Sequence, residues 1–252
     1  MPPASDSRVS GSSSLTGQPL KHTTALVTGA SRGIGRAIAL RLAELGASVA
    51  ICGRDNVALA SVKAELEKFG AHSFAQIADV TNTTDVTALV ANTQTALGAI
   101  SVLVNNAGIG LFGPAHEKSE ADWDRVLSTN LKSVFLVSRA VAPSMISRRA
   151  GDIINISSLA GKNAFAGGGI YCASKWGLQG LSACMAEDLR QYGIRVSLVC
   201  PGSVATEFSG SKPKDPAKVL LPEDVAHAVA MIALQGPQSF VSEIQLRPVR
   251  KP

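Results

Sequence analysis

The stretch that most constrains the fold lies near the start of the chain, where the apolar run Thr23 to Thr28 (TTALVT) passes directly into GASRGIG and then into the helix-like RAIALRLAELG. The order is strand, glycine loop, helix. A strand that is apolar along its length suits a sheet covered on both faces. Gly29, Gly33 and Gly35 permit a tight turn and a close approach to the backbone. The free N–H groups and dipole of the helix that follows attract negative charge, so a phosphate-bearing ligand suits this turn. The spacing is G-x-x-x-G-x-G without a following Lys-Ser/Thr pair, which excludes a P-loop. Gly29, Ser31, Arg32, Gly33, Ile34 and Gly35 are the first candidate contacts for such a ligand.

The same alternation repeats down the chain. Strands are predicted at Ala47–Cys52, Ser73–Ala78, Ile100–Val104, Asp152–Ile156, Arg195–Cys200 and Glu243–Leu246. Helices are predicted at Asn56–Phe69, Asp85–Leu97, Glu120–Ser147, through Trp176 to Gln191, and at Pro222–Leu234. Repeated strand-helix units predict an α/β fold: a single-domain, Rossmann-type, doubly wound parallel sheet of about seven strands with helices on both faces. A chain of 252 residues with 46% hydrophobic, 17% charged and 4% aromatic residues fits one such unit. The Ser/Gly/Pro-rich residues 1–20 read as a disordered lead-in, which leaves 21–252 as the domain.

Several function classes drop out. No apolar run approaches the roughly 20 residues of a membrane span. The first residues of the chain, from Met1 to Leu20, lack the apolar centre of a secretion signal. The net charge of +5 comes from scattered basic residues. Its small groups at Arg148-Arg149 and Arg247–Lys251 are not interleaved with aromatics, so no nucleic-acid partner is expected. Cys52, Cys172, Cys184 and Cys200 form no C-x-x-C pair, which points to reduced thiols and a cytoplasmic protein. The four histidines are dispersed, and no metal is expected.

The strand ends carry the candidate ligand contacts, as α/β folds require. The second strand ends at Gly53 and Arg54, where an adenosine ribose would lie. An acidic residue there would accept from a 2′-hydroxyl and repel a 2′-phosphate; glycine removes it, and Arg54 and Arg32 add positive charge, so NADPH is expected over NADH. Asp79, followed by Val80, either binds an adenine amino group or starts a helix cap. The fourth strand runs into NNAG at Asn105 to Gly108, with Asn106, Ala107 and Gly108 as contacts. Asn130, an amide in an apolar helical run, is either a satisfied core residue or part of a proton path from Lys175 to solvent. PGSVAT, Pro201 to Thr206, exposes backbone after the sixth strand; Pro201, Gly202, Val204 and Thr206 either meet the nicotinamide end or only turn the chain. The polar segment Glu207 to Leu221 suits a lid.

The chemistry gathers between Asn155 and Lys175 (NISSLAGKNAFAGGGIYCASK). Tyr171 and Lys175 share one helical face, one turn apart. A tyrosine pKa near ~10 leaves little phenolate at neutral pH, and a nearby cation is expected to lower it, making the phenol a usable proton shuttle. Ser158, at the end of the preceding strand, is placed to hold a carbonyl oxygen. The segment NAFAGGGI before Tyr171 is expected to leave one pocket wall with little side-chain bulk.

Taken together, TGASRGIG at Thr28 to Gly35, Asp79-Val80, NNAG, Asn130, the serine of ISS, YCASK and PGSVAT occur in an order and spacing that resemble the short-chain dehydrogenase/reductase family, over about Thr23 to Leu246. The resemblance implies that Tyr171 exchanges the proton at the substrate oxygen and Ser158, thirteen positions upstream, orients that oxygen. It further implies that Lys175 lowers the tyrosine pKa while binding the nicotinamide ribose, and that Asn130 supports a water-linked relay. The implied activity is an NADP(H)-dependent interconversion of a carbonyl and an alcohol by hydride transfer. Within the family the chain looks similar to NADPH carbonyl reductases and 3-oxoacyl-acyl-carrier-protein reductases. Its ending SEIQLRPVRKP lacks the DGG-like tail common among the latter, which favours a small ketone, aldehyde or hydroxy compound. Resemblance alone implies a homotetramer or homodimer packed through the helices around Glu120–Ser147 and 168–191. Two other classes are a non-catalytic NADPH-binding sensor or scaffold, which would not need Ser158, Tyr171 and Lys175 together, and an extended epimerase, for which too few residues follow Thr206.

Overall fold

The computed structural model describes residues 17–208, 215 and 218–250. Five strands are buried for most of their length and two are not, and that division follows their places in the sheet. Strand β1 (Thr24–Thr28) is buried at every position; it has no solvent face because it lies between β2 (Ser48–Gly53) and β4 (Val102–Asn105). Strands β5 (Gly151–Ile156) and β6 (Ile194–Pro201) continue the buried set, whereas β3 (Ser73–Ile77) and β7 (Glu243–Leu246) are the half-exposed edges. The order is β3-β2-β1-β4-β5-β6-β7, parallel throughout. The expected sheet of about seven strands is therefore present among the described residues.

Helices α1 (Gly33–Glu44), α2 (Asn56–Glu67) and α7 (Pro222–Ala233) pack on one face around Ile38, Leu42, Leu59, Leu66 and Val229. Helices α3 (Thr83–Leu97), α5 (Ser133–Arg148) and α6 (Gly169–Arg190) cover the other around Leu89, Leu103, Met145 and Ile153. Leu20, the last residue of the expected lead-in, is buried in the first of these cores, and its N–H donates to the Leu45 carbonyl at 2.9 Å. Residues 1–16 of that expectation lie outside the described residues, as do 209–214, 216 and 217 of the expected lid.

The helix expected over Glu120–Ser147 is interrupted. Helix α4 (Glu120–Leu127) ends in a π-turn, Ser128–Lys132, before α5 begins. Hydroxyls around the turn bond back to the preceding carbonyls: Thr129 to Arg125 at 2.8 Å and Ser133 to Thr129 at 2.6 Å. Such contacts compete with the regular helical ladder. Pro143 sits inside α5 without ending it.

A buried polar ladder joins the sheet to its helices. Asn105 and Asn155 face one another in register on β4 and β5. The Asn105 Nδ2 donates to Asn155 Oδ1 at 2.8 Å and to Ser138 Oγ at 3.0 Å, and Asn155 Nδ2 donates to Ser182 Oγ at 2.9 Å. Each amide would be strongly unfavourable here without a partner, so the set ties α5 and α6 to one register against the strands that carry the site.

Candidate active site

The chain runs from β1 out to β3 and then crosses back to β4 beside β1, so a crevice opens at the carboxyl ends of these two strands. Thr28 stitches its floor. Its hydroxyl accepts from the Asn106 and Ala107 N–H groups at 3.0 and 3.1 Å and donates to the Val104 carbonyl at 3.4 Å; Asn106 Nδ2 donates in turn to the Thr28 and Gly29 carbonyls. Gly29 has φ 63°, and a Cβ there would lie 2.8 Å from Ala107 Cα. Only glycine allows the two strand ends to meet this closely. A Cβ on Gly35 would strike the Gly29 carbonyl and the Asn106 side chain.

Helix α1 starts from this turn. Its N-cap Arg32 is extended and supplies no side-chain cap, and the first turn holds no acidic residue, so the amino end keeps its positive character toward the crevice. The crevice opens into a cleft of about 1820 Å³ bordered by every cofactor residue expected from the sequence: Gly29, Ser31 to Gly35, Arg54, Asp79, Val80, Asn106 to Gly108, Tyr171, Lys175, Pro201, Gly202, Val204 and Thr206. A bare-backbone cradle at a helix amino end, with Arg32 and Arg54 beyond it, fits a dinucleotide with its phosphates at the turn. Arg32 also pairs with Glu207 at 3.1 Å, both side chains well exposed, which joins the glycine loop to the segment after β6. Asp79 accepts from the Thr81 N–H and hydroxyl at 2.9 and 2.7 Å, and these bonds hold its carboxyl below the usual range. The cap of α3 belongs to Asn82 instead.

At the far end of the cleft, Ser158 caps the short turn Leu159–Gly161 and its Oγ accepts from the Ala160 N–H at 3.1 Å. Its neighbour Ser157 accepts from Gln179 Nε2 at 3.0 Å. Tyr171 stands in the first turn of α6 and Lys175 one turn later, with Lys175 Nζ donating to the Ile156 carbonyl at 2.9 Å. Burial governs both ionisations. It drives the Tyr171 phenol up to about 12, opposed by a hydrogen bond from Ser158 and reinforced slightly by Cys172. It brings the Lys175 ammonium down to about 8, opposed by Cys200. The expectation that Lys175 lowers the tyrosine pKa below its ordinary value is thus corrected: Nζ lies 5.8 Å from the ring centroid and is turned to Ile156, and desolvation of the phenolate is the larger effect.

Asn130 stands behind the cleft rather than on its wall. Its Oδ1 accepts from the Ile109 N–H at 2.8 Å, and its Nδ2 donates to the Ile109 carbonyl at 2.9 Å and to Ser174 Oγ at 3.0 Å. Both ends of the amide are used in clamping the loop after NNAG. These bonds use both amide donors, while Oδ1, with one of its two lone pairs taken, keeps an acceptor site.

Sequence reasoning missed the rings around Tyr171. Phe112 and Phe208 pack edge-on against it with centroids at 5.4 and 5.8 Å, and Phe165 lies 6.1 Å from Phe112. The wall expected to have little bulk is therefore partly filled by Phe165. Only 4% of the chain is aromatic, so phenylalanines at three loop positions were the available signal; their convergence needed the fold.

Residues 23–217 match the family described as short chain dehydrogenase. The 3-oxoacyl-acyl-carrier-protein reductase of Staphylococcus epidermidis is 38% identical over 224 residues, covering 84% of this chain and 91% of that one. Among solved structures, a metagenomic short-chain oxidoreductase in complex with NADP is 44% identical, covers 92% of this chain and 100% of that chain, and superposes with a TM-score of 0.82. An NAD⁺-bound xylitol dehydrogenase, 29% identical, covers 91% of this chain and 99% of that chain with a TM-score of 0.83.

Proposed function

Because the chain belongs to the short-chain dehydrogenase family, we propose that it interconverts a carbonyl and an alcohol, with Tyr171 as acid and base at the substrate oxygen. One observation carries this reading: Ser158, Tyr171 and Lys175 meet where the dinucleotide cleft of about 1820 Å³ reaches the aromatic loops. A bound nicotinamide dinucleotide supplies the hydride for reduction and takes it in oxidation. The chain's residues do the rest. The Tyr171 hydroxyl gives its proton to the carbonyl oxygen, and a phenol pushed up to about 12 is a proton carrier that stays protonated at neutral pH. Ser158 donates to the same oxygen and fixes its position. The Lys175 ammonium offsets the charge left on the phenolate and binds the nicotinamide ribose. Asn130 contributes by holding Ile109, and with it the loop over the site.

Gly53 and Arg54 at the end of β2, with Arg32 across the cleft, support NADPH over NADH. Some relatives hold NAD, so the choice rests on these residues rather than on the family. We favour a simple ketone, aldehyde or hydroxy compound as substrate; the 38% identity to a 3-oxoacyl-acyl-carrier-protein reductase supports a second reading, reduction of a 3-oxoacyl thioester. Consumption of NADPH and of NADH by purified protein, measured against a 3-oxoacyl thioester, simple ketones and aldehydes, separates them. Turnover confined to the thioester overturns the first reading. Binding of NADPH with no turnover across the panel favours a sensor.

Exposed Trp123, Phe135 and Trp176 on α4, α5 and α6 support association of copies through these helices as a dimer or tetramer. Light scattering tests this, with a mass of 26.0 kDa as the contrary result. Four unpaired cysteines support a reducing compartment such as the cytoplasm. No helix among the described residues is long and apolar enough to cross a membrane.

A further inference from the structure

Two phenylalanine rings, Phe112 and Phe208, pack against the one tyrosine that meets the cleft, and a third, Phe165, packs against Phe112. Phe112 follows NNAG, Phe165 precedes α6, and Phe208 follows β6. They are 39%, 49% and 42% exposed, and each also borders the cleft, so each keeps apolar surface turned to the space where a substrate must sit. The backbone makes room for them. A Cβ on Gly110 would come within 2.8 Å of Phe112 and 2.7 Å of Phe208, and one on Gly168 within 2.7 Å of Phe165. The rings lie tilted at 48° to 68° to their neighbours, which presents both ring faces and ring edges. Such surfaces favour a flat π-system over a saturated group of equal size, because faces and edges carry opposite partial charge.

Resting on the carbonyl-alcohol reading above, we propose that Phe112, Phe165 and Phe208 form the specificity wall for an aryl group, so that the substrate is an aryl ketone or the corresponding benzylic alcohol. In reduction the C=O π bond opens. The carbonyl carbon gains a hydride from the reduced nicotinamide, which is oxidised, and the oxygen gains the Tyr171 proton, which solvent replaces. The aryl ring attached to that carbon occupies the space among the three phenylalanines while the oxygen meets Tyr171 and Ser158.

The test compares kcat/KM for acetophenone, for cyclohexyl methyl ketone of the same size, and for 2-butanone, with NADPH as reductant. Acetophenone is expected to exceed cyclohexyl methyl ketone at least tenfold. Phe112→Ala and Phe165→Ala are expected to bring that ratio within threefold, and Phe165→Tyr to preserve it. Phe112→Leu and Phe165→Leu, which keep apolar volume without a ring, are expected to lower the ratio too, and NADPH titration by fluorescence verifies that each variant is folded. Equal or better use of cyclohexyl methyl ketone, or a ratio unmoved by the folded variants, overturns the aryl wall while leaving the carbonyl reading intact. Failure of all three ketones, with an aldehyde and a 3-oxoacyl thioester also inert, overturns both.

Discussion

The two ends of the cleft are built from different materials. At the amino end of α1 the cleft is bordered by backbone: Gly29, Gly33 and Gly35 leave their places in the turn bare of side chains, and Thr28 and Asn106 lock that turn to β4. At the Tyr171 end it is bordered by side chains on three loops, with Phe112 and Phe208 against a phenol that burial keeps protonated and Phe165 beside Phe112. A backbone cradle tolerates almost no substitution, because a Cβ on Gly29 or Gly35 collides with main chain and Gly33, like Gly29, has a positive φ that side chains disfavour. A side-chain wall is open to exchange, since each ring leans against other movable rings. On the function proposed above, the difference separates what the protein can change from what it cannot: cofactor recognition would be tied to the fold, and substrate recognition would not.

The largest effect should come from the chemistry itself. Tyr171→Phe removes one oxygen from the side-chain end and is expected to lower turnover at least ~10³-fold while the NADPH dissociation constant stays within about threefold. Retained turnover, read in the spectrophotometric assay, would break the division by showing that the phenol is only part of the wall. Next, Gly29→Val tests the backbone end. There φ is 63° and Ala107 Cα would lie 2.8 Å from the added Cβ. The substitution is expected to weaken dinucleotide binding by at least ~100-fold in fluorescence titration, or to lower stability by about 2–4 kcal/mol in urea. Normal binding in a normally stable variant would contradict the cradle. Gly53→Asp sharpens the same end. A carboxylate there is expected to shift the ratio of kcat/KM for NADPH over NADH about tenfold or more toward NADH, and an unmoved ratio would remove Gly53 from cofactor choice.

The smallest effect concerns stability. The Lys175 pKa of about 8 in the folded state lies below its ordinary 10.5, so the native state binds fewer protons than the unfolded chain between these values. Folding is therefore penalised at pH 7 and gains as pH rises from about 8 toward 10.5. Tyr171 works the other way: its raised pKa gives stability that is full below about 10 and lost as pH climbs through about 12. Lys175→Met removes the ammonium penalty and the bond to Ile156 together. It is expected to stabilise the fold by about 1–3 kcal/mol at pH 7 while turnover is lost. A destabilised variant in thermal melts would mean that the Ile156 bond outweighs desolvation.

Much of this was legible in the sequence, for reasons that differ by region. The β1 run and the glycine loop announce themselves because burial on both faces and a tight turn each demand particular residue types at fixed places. The expected cofactor contacts from Gly29 to Thr206 gather at one cleft because all but Tyr171 and Lys175, which stand on α6, end a strand or lie in the segments that follow strands, and in a parallel sheet successive strand ends share one rim. The π-turn stayed hidden, since STNLKSVF carries a helical pattern on both sides and the break depends on hydroxyl back-bonds and on the demand of Ile109 for a partner. The pKa of Tyr171 was misjudged because spacing reports that Lys175 is one turn away, while burial, which decides the sign, is a property of the whole packing. The phenylalanine wall was out of reach for the same reason. Its three members lie far apart in the chain, and only the fold brings their loops together.

The π-turn at Ser128–Lys132 sets an angle. An α-helix advances about 100° per residue, so a turn holding one residue more than its neighbours rotates everything downstream by about that amount relative to an unbroken rod. Past the turn, Val134, Val137, Val141 and Met145 face the core, while within it Asn130 is aimed at Ile109. One uninterrupted helix would put those two requirements out of phase. Deleting a single residue between Ser128 and Lys132 would close the bulge and still leave the downstream valines and Met145 facing the core, so what it would remove is the local swelling that aims Asn130 at Ile109, and that loop would lose its anchor without any of its own residues having been touched.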